Sequence, residues 1–473
     1  GRTLAAARHT GGAGTRRDPE SGLCLVWEGR LDDREAVSRT LSLPAGEDDC
    51  SVALAAWKRW GADSPRLLKG DFAFVVVDPA QQRLWAARDA LGVKPLYWLA
   101  RGRQLAVASE ARVLAHAFDV RIPDETSVAR TLAGRPVEVD ATLYAGVHPV
   151  RAGSVVELRQ GEARGRTTRF WTPDPWRELD PRGSASRPAE LRDLLSTAVS
   201  RRTSDRPRVG VTASGGLDSS AIAGIATANS RAGGHACPLL LSVTYPGLAC
   251  DESFFQAALA SHLGAPRLPV EAPLVGYAPA AASDIDLFEV CVVPYRLMCR
   301  AALSRDVDVL LTGEGSDELQ CTWGRELNDA VVRHDVLGAM KFAGLFDSPF
   351  SPRRWRSVLG AVGRVALGKH AGRSMRGPEW LTPRGAQLLA AADQALRAEE
   401  QRFAHPSPVR QSICAELTLG TSMTYSLAWN QTFFARQGVE LRHPFLDRDV
   451  AEFLLALPTG ERTQFGLIKP TLR

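Results

Sequence analysis

The stretch Val209–Gly224, VGVTASGGLDSSAIAG, decides the fold. Its start is a short apolar run, and its end has the small-residue spacing of a helix. Between the two stand Ser214, Gly215, Gly216, Asp218, Ser219 and Ser220. A turn from a buried strand into a helix lies, in an open parallel sheet, at the carboxyl end of the strand, where such sheets bind ligands. Gly215 and Gly216 carry no side chains, so backbone N–H groups can approach an anion, and the helix adds its positive N-terminal dipole. Three serine hydroxyls supply further donors. The anion best suited to this cradle is a phosphate chain.

Asp218 narrows the chemistry. No Lys follows the glycines, which excludes the GxxxxGK[ST] loop. A carboxylate repels phosphate unless Mg²⁺ lies between them, and Mg²⁺ commonly takes one or two carboxylates plus phosphate oxygens. A second carboxylate is therefore expected at another strand end. LLTGEGSDE (Leu310–Glu318) supplies it in Asp317, again with glycines beside it. Two aspartates on neighbouring strand ends, facing one phosphate cradle, read as a Mg²⁺–nucleotide site.

Working outward, PLLLSVTYP (Pro238–Pro246) and DVDVLL (Asp306–Leu311) read as further strands, and DESFFQAALASHLG (Asp251–Gly264) as a helix ending on glycine. Strands alternating with helices predict a parallel sheet with helices on its faces. Residues 328–425 read as mostly helical, with an Arg-rich stretch at Arg353–Arg376. The first third differs. GLCLVWEG, GDFAFVVVD, RLWAARD, PLYWLA, QLAVAS and GSVVELRQG are short strands, interrupted by one helix around Ser51–Trp60. Phe170–Glu190, rich in Pro, Ser and charge, reads as a linker. The expected organisation is a first domain over 1–175, a linker over 176–190 and a second domain over 191–473.

With 473 residues, 45% hydrophobic and 23% charged, the chain has the composition of a soluble globular enzyme. The net charge of +5 is spread along the sequence and does not indicate nucleic acid. No apolar stretch nears the roughly 20 residues that span a bilayer, and no signal-peptide core opens the chain. No membrane partner and a cytoplasmic location are expected. The eight cysteines form no CxxC pair and no His cluster accompanies them, so buried free thiols in a reducing compartment are expected. The chain closes in mid-pattern at GLIKPTLR, which leaves room for residues after Arg473 and before Gly1.

SGGLDSS, SVTYPGLACDESFFQAALASHLG, LLTGEGSDE and VELRHPFLDRDVAEFLLALP, in that order, resemble the synthetase domain of class B asparagine synthetases. Their relatives include β-lactam synthetases and lasso-peptide macrolactam cyclases. GDFAFVVVD, LWAARDALGVKPLYW, LAVASEARVL and TLYAGVHPVRAGSVVEL resemble the class II glutamine amidotransferase domain of the same family. The implied fold is α/β: an N-terminal amidotransferase-like α/β/β/α sandwich and a C-terminal doubly wound, parallel-sheet ATP-pyrophosphatase synthetase domain. The implied chemistry is adenylation of a carboxylate by ATP with Mg²⁺, then capture of the acyl group by an amine. On that resemblance Ser214, Gly215, Gly216, Asp218, Ser219 and Ser220 hold pyrophosphate, with Asp218 and Asp317 as metal ligands. Val243 and Gly313 line adenine and ribose. Lys469 neutralises charge on the phosphates and the tetrahedral intermediate. Glu314 is the candidate base for the attacking ammonium, the alternative being a role in shaping the turn or binding metal.

The first domain departs from the family pattern. A working glutaminase there begins with Cys and has an Asn-Gly whose Asn helps to form the oxyanion hole. This sequence begins Gly1-Arg2-Thr3, Cys24 falls inside an apolar strand, and Glu28-Gly29 stands at the Asn-Gly position. A carboxylate opposes a developing oxyanion. The domain is expected to be degenerate, and the amine to be carried by the substrate itself. The resemblance then favours a lasso-peptide cyclase, closing an Asp or Glu side chain of a precursor peptide onto its N-terminal amine. A leader-binding protein and a leader peptidase are the implied partners. Glu314, the Arg-rich helical region and Asn430-Gln431, read as a remodelled acceptor pocket, favour this choice. SDIDLFEVCVVPYRLMCRAAL (Ser283–Leu303) is expected to line the acyl pocket. The alternatives are a β-lactam synthetase-like or asparagine synthetase-like enzyme acting on a small amino acid, a sulfur- or nucleobase-transfer enzyme, and a non-catalytic scaffold.

Overall fold

The computed structural model describes residues 12–135, 140–272, 292–320, 325–332, 334–335, 339–340, 352–366, 377–419, 423–464 and 467–472. The chain divides into two compact units, one of Gly1–Ser184, Asp317–Ala428 and Glu452–Pro470, the other of Ala185–Ser316, Trp429–Ala451 and Thr471–Arg473.

In the first unit, β1 (Gly14–Arg17), β2 (Cys24–Leu31), β3 (Gly70–Asp78), β4 (Arg83–Arg88), β8 (Ser154–Arg159) and β9 (Arg166–Arg169) form one antiparallel sheet in the order β1-β2-β3-β4-β8-β9. β5 (Tyr97–Arg101), β6 (Gln104–Ala108) and β7 (His148–Pro149) form a second, in the order β6-β5-β7. The alternation in β3 explains the layering. Phe72, Phe74 and Val76 face the helix Asp49–Trp60, packing with Val52, Ala53 and Trp57. Ala73, Val75 and Val77 face the other way, onto a core with Trp98 of β5. A period of two thus buries both faces of one strand. The second sheet covers its far face with the helix Ala111–Ala117 through Leu114 and Ala115. The result is the expected α/β/β/α sandwich. Helices at Arg34–Thr40, Ala111–Ala117 and Glu125–Leu132 are additional to the one expected in this region.

Further described residues of this unit are helical, including Arg325–Val332, Pro352–Ala366, Pro383–Glu400 and Pro408–Leu419. The Ser283–Leu303 stretch lies outside the described residues as far as Cys291, and the Arg-rich stretch lies outside them over 367–376.

In the second unit β10 (Gly210–Thr212), β11 (Leu239–Thr244), β12 (Arg267–Glu271), β13 (Val309–Leu311) and β14 (Glu440–Arg442) form a fully parallel sheet in the order β12-β11-β10-β13-β14. Two edge strands join the three expected ones. One face packs Leu239, Leu241 and Leu310 against Met298, Ala302, Phe433 and Phe434. The helices Arg187–Arg201 and Leu217–Ala232 bury Leu191, Leu195, Ile222 and Ala226. The buried Arg442 of β14 is held by Asp205 (2.9 Å) and Glu440 (2.9 Å). Burial pushes Asp205 up, but the hydrogen bonds and charge of Arg442 outweigh it and leave the carboxyl below its usual range.

Cys50, Cys299 and Cys414 are buried free thiols, and burial pushes each up to about 12. Cys24 and Cys237 are only half-buried and Cys250 is exposed, a correction to the expectation of uniform burial. Cys291 and Cys321 lie outside the described residues. Among the described residues no helix is long and apolar enough to cross a membrane.

Candidate active site

The loop after β10 is wound tightly by its own serines. Ser219 Oγ accepts the Ser214 N–H at 3.2 Å, lies 3.0 Å from Ser214 Oγ and donates to the Gly216 carbonyl at 3.3 Å. Ser214 Oγ accepts the Gly216 N–H at 3.2 Å, and Ser220 N–H reaches the Gly216 carbonyl at 3.0 Å. Gly216 caps the helix Leu217–Ala232, placing Asp218 in its first turn. Gly215 sits at φ +88°, and a Cβ there would lie 2.7 Å from Phe255 Cβ. Conformation and close packing both demand glycine. Ser214 and Gly216 are exposed, so the cradle opens to solvent.

The loop after β13 meets this cradle. A Cβ on Gly313 would lie 2.9 Å from Ser219 N and 3.0 Å from Asp218 Cβ. Ser316 Oγ donates to Asp218 Oδ1 at 2.7 Å. The structure thus brings Gly313 against the backbone of Asp218 and Ser219. Val243, half-buried on β11, accepts a hydrogen bond from Gln256 Nε2 at 2.9 Å through its carbonyl.

Glu314 is half-buried beside a polar cluster. Asn430 Nδ2 lies 3.3 and 3.4 Å from its two oxygens, and His443 Nδ1 lies 3.5 Å from Oε2. Thr312 Oγ1 accepts the Glu314 N–H at 3.3 Å and contacts His443 Nδ1 at 2.6 Å. Gln431 Nε2 contacts His443 Nε2 at 3.1 Å. Asn430 and Gln431 were expected to mark an altered pocket; here they hold the candidate base and the imidazole beside it. His443 and Thr312 were missed. His443 reads in RHPFLD as one polar residue among several, and nothing in its spacing points across the sheet to Glu314.

In the other unit, Lys469 Nζ pairs with Asp317 at 2.6 Å. Lys469 is 3% exposed and sits at φ +52°, which excludes a solvated surface lysine. Asp317 lies in the first turn of the helix Ser316–Gln320. Its neighbour Glu318 is raised by burial, and Asp317 adds to that shift. Among the described residues no cluster of three or more His, Cys, Asp or Glu could hold a metal. The carboxylate of Asp218 has the donor chemistry that suits Mg²⁺, which needs only one or two carboxylates when phosphate oxygens and water complete its shell, whereas that of Asp317 is engaged by Lys469.

In the sandwich, Glu28 Oε2 accepts the Ser109 hydroxyl at 2.6 Å. Cys24 is fixed in β2 between Arg17 of β1 and Val77 of β3.

Residues 190–473 match the asparagine synthase family and residues 28–171 match the glutamine amidotransferase domain. The chain belongs to the asparagine synthase family. It is 30% identical over 325 residues to a carboxyethyl-arginine beta-lactam-synthase of Streptomyces clavuligerus, covering 66% of this chain and 59% of that one. It is 29% identical over 323 residues to amidase chry2 of Gibberella zeae, covering 64% and 47%. It is 27% identical over 288 residues to a putative glutamine-hydrolyzing asparagine synthetase of Mycobacterium bovis, covering 58% and 43%. The chain spans about half the length of the curated relatives it matches.

Proposed function

We propose that this chain is an ATP-dependent, AMP-forming carbon–nitrogen ligase that closes a precursor peptide onto itself. A side-chain carboxylate of Asp or Glu attacks the α-phosphorus of ATP, and the bond to pyrophosphate breaks. The peptide's N-terminal amine then attacks the acyl carbon, the bond to AMP breaks, and the ammonium proton passes to Glu314. The carrying observation is the Glu314 carboxylate, fixed by Asn430 just beyond β13, the strand beside β10 and its serine-lined loop. An amine is a nucleophile only when neutral, so a carboxylate in that place has a task.

Ser214, Gly215, Gly216, Ser219 and Ser220 are proposed to bind pyrophosphate, with Val243 and Gly313 towards the nucleoside. Mg²⁺, held by Asp218 and Asp317, would supply charge neutralisation for the phosphates. Lys469 is proposed to stabilise developing negative charge. Glu28, engaged by Ser109, opposes an oxyanion in the sandwich, which supports an amine brought by the substrate. A leader-binding protein, a leader peptidase and a cytoplasmic setting belong to the same proposal.

A second reading, ring closure within a small amino acid, is favoured by the similarity to the beta-lactam-synthase. The test is Mg²⁺-dependent exchange of pyrophosphate into ATP, with linear peptides bearing an internal Asp or Glu compared with small amino acids. Exchange with the peptide and loss of one water in its product support the first reading. Exchange with small acids alone selects the second, and no exchange with any acid overturns both.

A further inference from the structure

We infer that His443 is a positioning residue for Glu314, locked by Gln431 as the tautomer with its proton on Nδ1. The inference rests on the reading of Glu314 as the base.

His443 follows β14 and is completely buried. Its tautomer follows from a third group. Gln431 Nε2 donates to the Leu441 carbonyl at 3.0 Å, which fixes the orientation of the amide, because a carbonyl only accepts. The same amide nitrogen lies 3.1 Å from His443 Nε2 and can only donate, so Nε2 accepts. The ring proton therefore sits on Nδ1, facing Thr312 Oγ1 at 2.6 Å and the Glu314 carboxylate at 3.5 Å.

This arrangement holds Glu314 at two points. The imidazole N–H gives its carboxylate an electrostatic partner. The imidazole also orients Thr312, whose hydroxyl oxygen accepts the Glu314 backbone N–H at 3.3 Å. Asn430 contacts the carboxylate from another direction. A proton added at Nε2 would oppose the Gln431 N–H, so the lock favours a neutral ring. A neutral donor orients a carboxylate without the full ion pair that would weaken it as a base.

The first test needs no substrate. In the full-length protein labelled with ¹⁵N-histidine, the His443 signals are those absent from His443→Asn. They should report a neutral ring protonated at Nδ1 and unchanged between about pH 6 and 8. Gln431→Leu should release the lock and mix the tautomers. A proton on Nε2, or a ring that titrates in that range, overturns the inference.

The second test uses a linear peptide with a free N-terminus and an internal Asp or Glu. His443→Leu should slow amide formation about tenfold to hundredfold while leaving pyrophosphate exchange intact. Capture by hydroxylamine, an amine already neutral at pH 7, should be spared. His443→Asn, which keeps an N–H near Nδ1, should recover most of the lost rate. Equal losses in exchange and in hydroxylamine capture would mark a merely structural histidine and overturn the role. Absence of exchange in the unaltered protein removes the functional reading and the role with it, whereas the histidine spectrum bears on the tautomer alone.

Discussion

Gly313→Ala adds one methyl group where two loops touch. Gly313 has no positive φ, so alanine is allowed by the backbone, and only space decides. The new Cβ would lie 2.9 Å from Ser219 N, 3.0 Å from Asp218 Cβ and 3.1 Å from Asp218 C. Ordinary contact begins at 3.4 Å, so the neighbours must retreat by about 0.3–0.5 Å. They cannot do so independently. Ser219 is tied to Ser214 and Gly216, and Gly215 is backed by Phe255. The whole cradle moves or the strand end does. Overpacking of this size costs about 1–3 kcal/mol, and a fall in Tm of a few degrees is expected. The functional cost is larger, because catalytic geometry tolerates only about 0.5 Å. Pyrophosphate exchange should fall about tenfold to hundredfold. Gly224→Ala is the control: the same methyl, mid-helix, with nothing within 4 Å, so it should keep exchange and gain about 0.5–1 kcal/mol. The pair is read by exchange assay and calorimetry. A Gly313→Ala protein with full exchange and unchanged Tm would refute the placement of the cradle.

Asp218→Asn keeps an acceptor for Ser316 but removes the charge; exchange should be lost, with Tm within about 2 °C of the parent, and retained exchange would strike Asp218 from the metal ligands. Lys469→Met should abolish amide formation while circular dichroism stays native, since its partner Asp317 has a half-exposed side chain that water can solvate. Burial raises Asp89 to about 6, the Asp71 charge adds to this, and the N–H groups of Lys94 and Val93 oppose it. Its folded value lies above the ordinary aspartate value of 3.8, so its contribution is complete below that value and is lost as pH rises through about 6. Between pH 7 and pH 5 the parent should gain about 1 kcal/mol relative to Asp89→Asn in denaturant titrations, and an equal response would refute the shift. Cys24→Ala should leave amide formation unchanged, and a large loss would show that the sandwich takes part in the chemistry.

Elements whose periodicity reflects burial were legible. β3 matches GDFAFVVVD at both ends, because its two faces enter different cores and the flanking Gly70 and Asp78 mark its limits. The tight serine–glycine loop after β10 was legible because its residue types are tied to backbone geometry, as Gly215 shows. β12 and β14 were not seen: Pro269 interrupts one, and the other is three residues with charged ends, Glu440 and Arg442, buried by pairing with each other. Polar burial by mutual pairing leaves no hydrophobic period to read. The Glu314–His443 cluster was hidden for a related reason. It joins residues 129 positions apart through strand adjacency, and β14 was not among the predicted strands.

The two rims of the parallel sheet also bear on how the chain survives its own synthesis. An open strand rim is a template on which a second chain can add by backbone pairing. Here one rim strand is only three residues long, and the other carries a proline, which has no N–H to offer. Neither presents an unbroken ladder for a stranger to extend, so while neighbouring helices are still settling, this half of the molecule should resist sticking edge to edge.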